Sequence, residues 1–376
     1  MGITGKIAVA ALAACLWAGQ APACTSAIVS GRKTAGGRPL LWKHRDTGEE
    51  NNKVERVAAR DGAMEYVALF NASDSLCLEA WAGYNSAGFA VINTASYNLN
   101  DSAAAQMDRE GLIMTRALRI CRCVDDFEAL LDTLPKPLGV EANFGVIDAG
   151  GGGAYFETGN YSWTRFDLAD SPDGVLVRTN YSHSGREGEG MGYVRELNAL
   201  HLFAPHVLEG DFTPATLTEE VSRSFYHCLM GRDMAGSGVE WLVDQDFIPR
   251  RSSSATVVIE GVAQGESGLL TVMWIGIGYP PCSEIRAAWL GEDGVPRELC
   301  GEGEGGRSPL CDTVVARKHE VFPIKRGNGE KYIRLDALYN GEGTGYCQRL
   351  APDNMLRYEQ GYVERRRRAE AMEEDR

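Results

Sequence analysis

Cys24 is the residue best equipped for chemistry, because of what precedes it. Lys6 leads an apolar run from Ile7 to Trp17, and Ala21-Pro22-Ala23 closes it, which is the pattern of a secretory signal with a small-x-small cleavage site. Removing residues 1–23 makes Cys24 the first residue of the mature chain. A thiol attacks a carbonyl as the thiolate, and at an ordinary pKa of about 8.5 it needs a base to do so at neutral pH. A chain-terminal cysteine carries that base itself, since an α-amine titrates at about 7.7–8.0. Nucleophile and base then belong to one residue, and the chemistry is attack on an amide carbonyl through a thioester, with no cofactor and no metal.

Competing chemistries fit the sequence poorly. A papain-like hydrolase pairs an internal cysteine with a separated histidine in a distinctive cysteine motif, and none of the six histidines stands in such a context. His201, His206 and His227 fall outside the standard ligand spacings, so core or surface roles suit them better. The formal net charge of -14 argues against nucleic acid as a partner. The basic run Arg365–Arg368 is flanked by acids in a segment that reads as a solvated helical tail. After the signal, no stretch approaches the roughly 20 apolar residues of a transmembrane helix, so the processed chain has no integral membrane segment. The expectation is an exported protein, periplasmic or extracellular. Lipid anchoring at Cys15, after Leu12-Ala13-Ala14, is the alternative.

Cysteine parity bears on the same point. Ten cysteines become nine when Cys15 leaves with the signal. Setting Cys24 aside as the reactive thiol leaves Cys77, Cys121, Cys123, Cys228, Cys282, Cys300, Cys311 and Cys347, an even set that an exported protein can pair. Cys300 and Cys311 bracket a Gly-rich loop and form the first candidate couple. Buried free thiols are the other reading.

The elements that must position Cys24 are strands. Cys24 to Ser30 is a small and β-branched run that ends in a Gly-rich turn, and Arg38 to His44 resumes it, as in a hairpin. Further strand-like runs are Tyr66–Asn71, Leu76–Tyr84, Phe89–Ala95, Asn143–Asp148, Ala154–Thr158, Val175–Thr179, Ala255–Glu260 and Leu269–Ile275. Helical spacing marks Met107–Cys121, Asp125–Leu134 with Asp125 and Asp126 as caps, Gly192–Leu208 and Thr216–Cys228. Strand blocks and helix blocks are segregated, which suits α+β better than a βαβ wind. Residues 24–376 read as a single domain with a helical C-terminal tail.

Several separated motifs carry a resemblance to a known family. Cys24-Thr25-Ser26 opens a strand, and Pro39 to Asp46 forms the second strand, ending in an acid. Asn85-Ser86-Ala87-Gly88 begins a hairpin that reaches Asn93. Asn143 to Asp148, a Gly-rich turn and Tyr155-Phe156-Glu157 make a central hairpin, and Val175 to Asn180 follows. In this order the chain, from Cys24 to about Ile259, resembles the cysteine branch of the N-terminal nucleophile hydrolases. That branch includes penicillin acyltransferase-like enzymes, choloylglycine hydrolases and a dipeptidase group.

The resemblance implies a four-layer αββα sandwich, and hydrolysis or acyl transfer at a linear amide of a small molecule, after processing that can be autoproteolytic. It also implies roles. Asp46 matches the acid against the nucleophile and its amine, Asn93 the oxyanion asparagine, and Asn180 the second asparagine near the terminal amine. The family's arginine three residues before the acid is Lys43 here, so Lys43 or Arg45 takes the substrate-facing role. A later arginine is matched by Arg250 or Arg251, with Arg251 carried as substrate-binding.

Each of these residues also has a plainer reading. Asn85 and Gly88 are ordinary hairpin-turn residues, Asp46-Thr47-Gly48 makes a good turn, and Asn180 can simply open a loop. The competing function is an exported binding protein of the same fold without activity, and a dipeptidase of the same superfamily is the other enzyme reading. A homo-oligomer is compatible with the sequence, which does not fix the state.

Overall fold

A computed structural model of the chain describes residues 23–100 and 107–374. Most of the expected signal, with Lys6, the apolar run and Cys15, lies outside the described residues.

The hairpin after Cys24 forms as β1 (Thr25–Val29) and β2 (Leu40–Asp46). Both strands are buried along their whole length, so each side chain meets protein on whichever face it takes. Then come β3 (Asn52–Val57), β4 (Tyr66–Asn71), β5 (Ala82–Asn85) and β6 (Ala90–Ala95), followed by helices α1 (Glu110–Ile120) and α2 (Val124–Thr133). Strands β7 (Ala142–Ile147), β8 (Gly153–Thr158), β9 (Trp163–Asp167) and β10 (Val175–Arg178) lead to helix α3 (Tyr193–Glu209). Two short pieces, β11 (Tyr226–His227) and β12 (Arg232–Asp233), pair with each other, and β13 (Trp241–Val243) pairs with the late β17 (Tyr332–Arg334). Between these lie β14 (Ser253–Glu260), β15 (Val272–Ile277), β16 (Ile285–Ala288) and helix α4 (Pro309–Val321), and α5 (Tyr346–Glu374) is the last helix.

Two antiparallel sheets result, one in the order β10-β1-β2-β14-β15-β16 and one the meander β3 through β9. Three apolar layers separate four structural ones. Ile28, Leu41, Ile92, Tyr155, Val257 and Ile275 fill the space between the sheets. Phe70, Phe89, Phe144 and Phe156 pack on the other face of the seven-stranded sheet against Met114, Leu118, Phe127 and Leu131 of α1 and α2. Trp42, Val258 and Trp274 cover the outer face of the six-stranded sheet beneath Phe203 of α3 and Tyr358 of α5. The architecture is therefore α+β, the αββα sandwich that the resemblance implied.

Close approach explains one glycine. Gly361 lets α5 lie flat on Trp274, whose ring an added Cβ would strike at Cη2 and, at 2.7 Å, at Cζ3.

Some local expectations give way to tertiary contacts. Leu76–Trp81 is irregular rather than extended, because Cys77 takes φ 54° and Asp74 Oδ2 accepts from Glu79 N at 2.9 Å. The helix expected over Thr216–Cys228 stops after one wide turn, Thr216–Val221, where both N and Oγ of Ser222 donate to Leu217 O. That hydroxyl is also held by Trp42 Nε1 at 3.1 Å and Thr256 Oγ1 at 2.7 Å, which anchors the turn on the sheet. At α2 the capping acid is Asp126, which accepts from Arg122 N and Cys123 N, whereas Asp125 pairs with Arg165.

The expected disulfides do not form among the described residues. All nine cysteines there are free thiols. Cys300 Sγ donates to Pro296 O, while Cys311 Sγ donates to Glu50 O and accepts from Asn52 N, so the two thiols are committed to different neighbours.

Candidate active site

Strand alternation decides what surrounds Cys24. Thr25 lies opposite His44 and Ser26 opposite Lys43 in the β1–β2 register. Successive side chains point to opposite faces, so Leu41, Lys43 and Arg45 look between the sheets while Trp42, His44 and Asp46 look outward. Cys24 shares the inner parity of Ser26 and Ile28. The sequence Lys-His-Arg-Asp thus delivers two cations to one side of the Cys24 segment and an acid with a histidine to the other.

On the inner face Lys43 Nζ donates to Asn93 Oδ1 and to Trp81 O, both at 2.7 Å. Burial lowers its pKa to about 8, and the charge of Cys24 is the strongest influence pulling it back up. Arg45 donates to Asn52 Oδ1 and to Asn71 Oδ1, the latter at 2.7 Å. Its guanidinium lies 5.2 Å from the Trp81 ring centroid, a cation–π contact. Burial lowers its pKa to about 10, again with Cys24 the leading opposing influence. Cys24 itself is buried, with Sγ 3.7 Å from Asp46 O.

On the outer face Asp46 accepts from Arg250 Nε at 2.8 Å and from Ser253 Oγ at 2.7 Å. His44 Nε2 lies 2.8 Å from the same hydroxyl, so a His44-Ser253-Asp46 relay of hydrogen bonds runs along the sheet. Burial holds the His44 pKa down to about 4, which keeps the ring neutral. An extra residue in β14, between Ser253 opposite Asp46 and Ala255 opposite Arg45, makes this geometry possible. Bulges of this kind re-aim side chains beside sites.

Two arginines converge on the peptide group that joins Ala23 to Cys24. Arg250 Nη2 donates to Ala23 O at 2.8 Å. Arg195 Nη1 donates to Cys24 O at 2.6 Å, to Thr25 Oγ1 at 2.8 Å and to Ala23 O at 3.3 Å, and its Nη2 reaches Asn180 Oδ1 at 2.6 Å. Asn180 also donates to Ala95 O at 2.8 Å. Arg195 is fully buried, which lowers its pKa to about 10, with Arg250 the next cause in the same direction.

The structure therefore gathers Cys24, Lys43, Arg45, Asp46, Asn93 and Asn180 into one region. Arg251 is not among them. Its N–H donates to Asp244 Oδ2, and its side chain lines a cavity of about 710 Å³ with Glu49, Glu50 and Lys331. Arg250 holds the place at Asp46. Asn85 serves its turn, accepting from Ala87 N and Phe89 N and donating to Leu118 O and Cys121 O. Sequence reasoning missed Arg195, yet a signal was present: it lies in helical phase with the buried Ala199 and Phe203 of α3, where a charge is unexpected.

The histidines considered as ligands have other roles. His206 pairs with Asp211 and Glu220, His201 stacks on Tyr226 at 4.1 Å, and His227 packs edge-on against Phe247. Among the described residues no group of three or more His, Cys, Asp or Glu could hold a metal ion, and no helix is long and apolar enough to cross a membrane.

No family model and no curated protein matches the sequence. Among solved structures the chain is similar to the Caenorhabditis elegans N-acylethanolamine-hydrolyzing acid amidase ortholog, at 13% identity and TM-score 0.38, over 63% of this chain and 92% of that one. It is also similar to a mutant conjugated bile acid hydrolase from Clostridium perfringens, at 12% identity and TM-score 0.37, over 71% and 92%. A third is penicillin V acylase from Agrobacterium tumefaciens, at 11% identity and TM-score 0.40, over 71% and 86%.

Proposed function

We propose that the chain is an exported amide hydrolase that acts through Cys24 as an N-terminal nucleophile. The observation that carries this reading is the convergence on Ala23-Cys24 of Lys43 and Arg45 from one face and of Arg250 and Arg195 from the other. Asp46 balances Arg250 alone, and Lys43, Arg45 and Arg195, with no carboxylate hydrogen-bonded to them among the described residues, are costly to bury unless negative charge develops there. A thiolate and a tetrahedral oxyanion supply such charge.

In the mature enzyme the Cys24 α-amine takes the thiol proton, and Sγ attacks the carbonyl carbon of a linear amide. The oxyanion collapses, the carbon–nitrogen bond breaks, and the amine leaves with that proton. Water, activated by the same α-amine, then attacks the thioester, releasing the carboxylic acid and restoring the thiol. An amine in place of water gives acyl transfer. Asn93 Oδ1 is committed to Lys43, which leaves Nδ2 to donate to the oxyanion, and such a donor is worth about 2.7–4 kcal/mol of transition-state stabilisation. Asp46 acts behind this, holding Arg250 in place.

The test combines N-terminal sequencing with three variants, assayed on an amide found by screening. The purified enzyme begins at Cys24. Cys24→Ala is inactive but folded, Cys24→Ser is strongly impaired, and a form that retains one residue before Cys24 is nearly inactive because its amine has become an amide. Full turnover by that extended form, with the residue still attached, refutes the mechanism.

A further inference from the structure

A cavity of about 320 Å³ opens beside β6 and the start of α1, lined by Tyr97, Met107, Asp108, Glu110, Val140 and Glu141 among others. Its carboxylates are unequal. Glu141 Oε1 already accepts from Leu99 N at 2.7 Å and from Asn100 N at 3.1 Å. Glu110 is 7% exposed, and its Oε1 accepts from Glu141 N at 3.0 Å. Its Oε2 is buried and has no hydrogen-bond partner among the described residues. Asp108, exposed on the same lining, is the other carboxylate at this end of the cavity. A buried carboxylate oxygen without a donor is unfavourable as it stands.

This cavity belongs to the surroundings of the nucleophile. Ala95, which also lines it, accepts from Asn180 Nδ2 at 2.8 Å, and Asn180 in turn holds Arg195 at Cys24 O. The cavity thus adjoins the residues that hold the Cys24 segment. A metal ion is a poor candidate, because no three-ligand group exists among the described residues. An ammonium suits the site better: it brings several N–H donors for the open carboxylate oxygens, and Met107 and Val140 supply apolar wall for its alkyl stem.

We infer that Asp108 and Glu110 recognise an ammonium group on the amide substrate, so that the enzyme prefers amides bearing a free amine over neutral acyl amides. The inference rests on the reading of Cys24 as the nucleophile. Burial raises the Glu110 pKa to about 8, and a cation seated beside the carboxylate offsets that cost. Arg45 and Lys43 repel an ammonium, so without the acid pair the preference would run the other way.

The test uses processed protein and two chloroacetamides of equal length, one with an aminopropyl and one with a butyl tail. Alkylation of Cys24 is followed by intact mass and peptide mapping. Wild type reacts at least tenfold faster with the ammonium probe, and that ratio falls toward unity or below in Glu110→Gln and in Asp108→Asn. Asp108 is exposed and sits at φ 47°, a conformation asparagine adopts readily, so this variant stands if Glu110→Gln fails to fold. Faster reaction with the butyl probe in wild type, or a ratio unmoved in the folded variants, overturns the inference and leaves the nucleophile standing. Absence of labelling at Cys24 by both probes overturns the nucleophile and the inference with it. Turnover of aminoacyl amides against amides of a diamine then tells which side of the scissile bond carries the ammonium.

Discussion

Replacing Asp46 by asparagine tests whether the outer face of the site is one electrostatic unit. The Asp46 side chain is fully buried, and its two oxygens take Arg250 Nε at 2.8 Å and Ser253 Oγ at 2.7 Å. Asparagine keeps the shape but removes the charge, and it turns an –NH₂ toward one of two donors. Arg250, 17% exposed, then remains beside Arg195 without its counter-ion. Removing one partner of a buried pair costs about 3–5 kcal/mol, against a median near 0–1 for an exposed pair. With a urea m-value of about 3 kcal/mol/M, the unfolding midpoint of Asp46→Asn falls by ~1 M or more. The control is Arg250→Met, alone and combined. The double variant carries neither charge, so its loss is smaller than the sum of the single losses by 2 kcal/mol or more, on the order of a strong coupling energy. A single-variant loss below about 1 kcal/mol, or additivity within ~0.5 kcal/mol, refutes the pair as the organising interaction.

Other outcomes follow from the same coordinates. His44 binds its proton at about 4 in the folded chain against about 6.5 unfolded, so between those values the unfolded state holds more protons and stability is lost as pH falls through the window. The loss reaches ~3 kcal/mol at 1.36 kcal/mol per pH unit, and urea titrations from pH 7 to 4 on wild type and His44→Gln show it in the first and a smaller slope in the second. Lys43, lowered to about 8, remains cationic below that value, so kcat/KM declines above pH 8, and Lys43→Arg moves that limb to higher pH in a pH–rate profile. Arg195→Lys keeps the charge but cannot span Cys24 O, Thr25 Oγ1 and Asn180 Oδ1 together; kcat falls at least tenfold in steady-state assays while circular dichroism is unchanged. Gly361→Ala gains about 1 kcal/mol of helix propensity yet collides with the Trp274 ring, so calorimetry shows a lower Tm.

The identity of many strands and of the first three long helices was legible because periodicity is local: β2, β4, β7, α1 and α3 lie within a few residues of their expected bounds. The α+β class came from the segregation of strand and helix blocks, while the four-layer arrangement came from the motif resemblance. Strands β3, β9, β11, β12, β13, β16 and β17 and helix α4 were not read. Asn52–Val57 carries Lys53, Glu55 and Arg56 among its apolar positions, and the face of α4 is completed by Cys311 and Lys318, whose burial depends on Glu50 and Asn52 far away in sequence.

Within the site the division is sharper. The sequence alone singled out Cys24, since a signal-like segment ending in Ala-Pro-Ala and the acid–base chemistry of a terminal cysteine are both properties of neighbouring residues. It left Arg250 and Arg251 equivalent and said nothing of Arg195. Only the tertiary structure chose, because which arginine meets Asp46 is set by the register of β14 on β2 and by the bulge between Ser253 and Ala255. A slip of one residue in a strand exchanges its faces, so adjacent arginines with the same chemistry end at Asp46 and in a separate cavity. Arg195 reaches Cys24 O across 171 positions of chain, a proximity that exists only once α3 has packed on the outer face of the sheet.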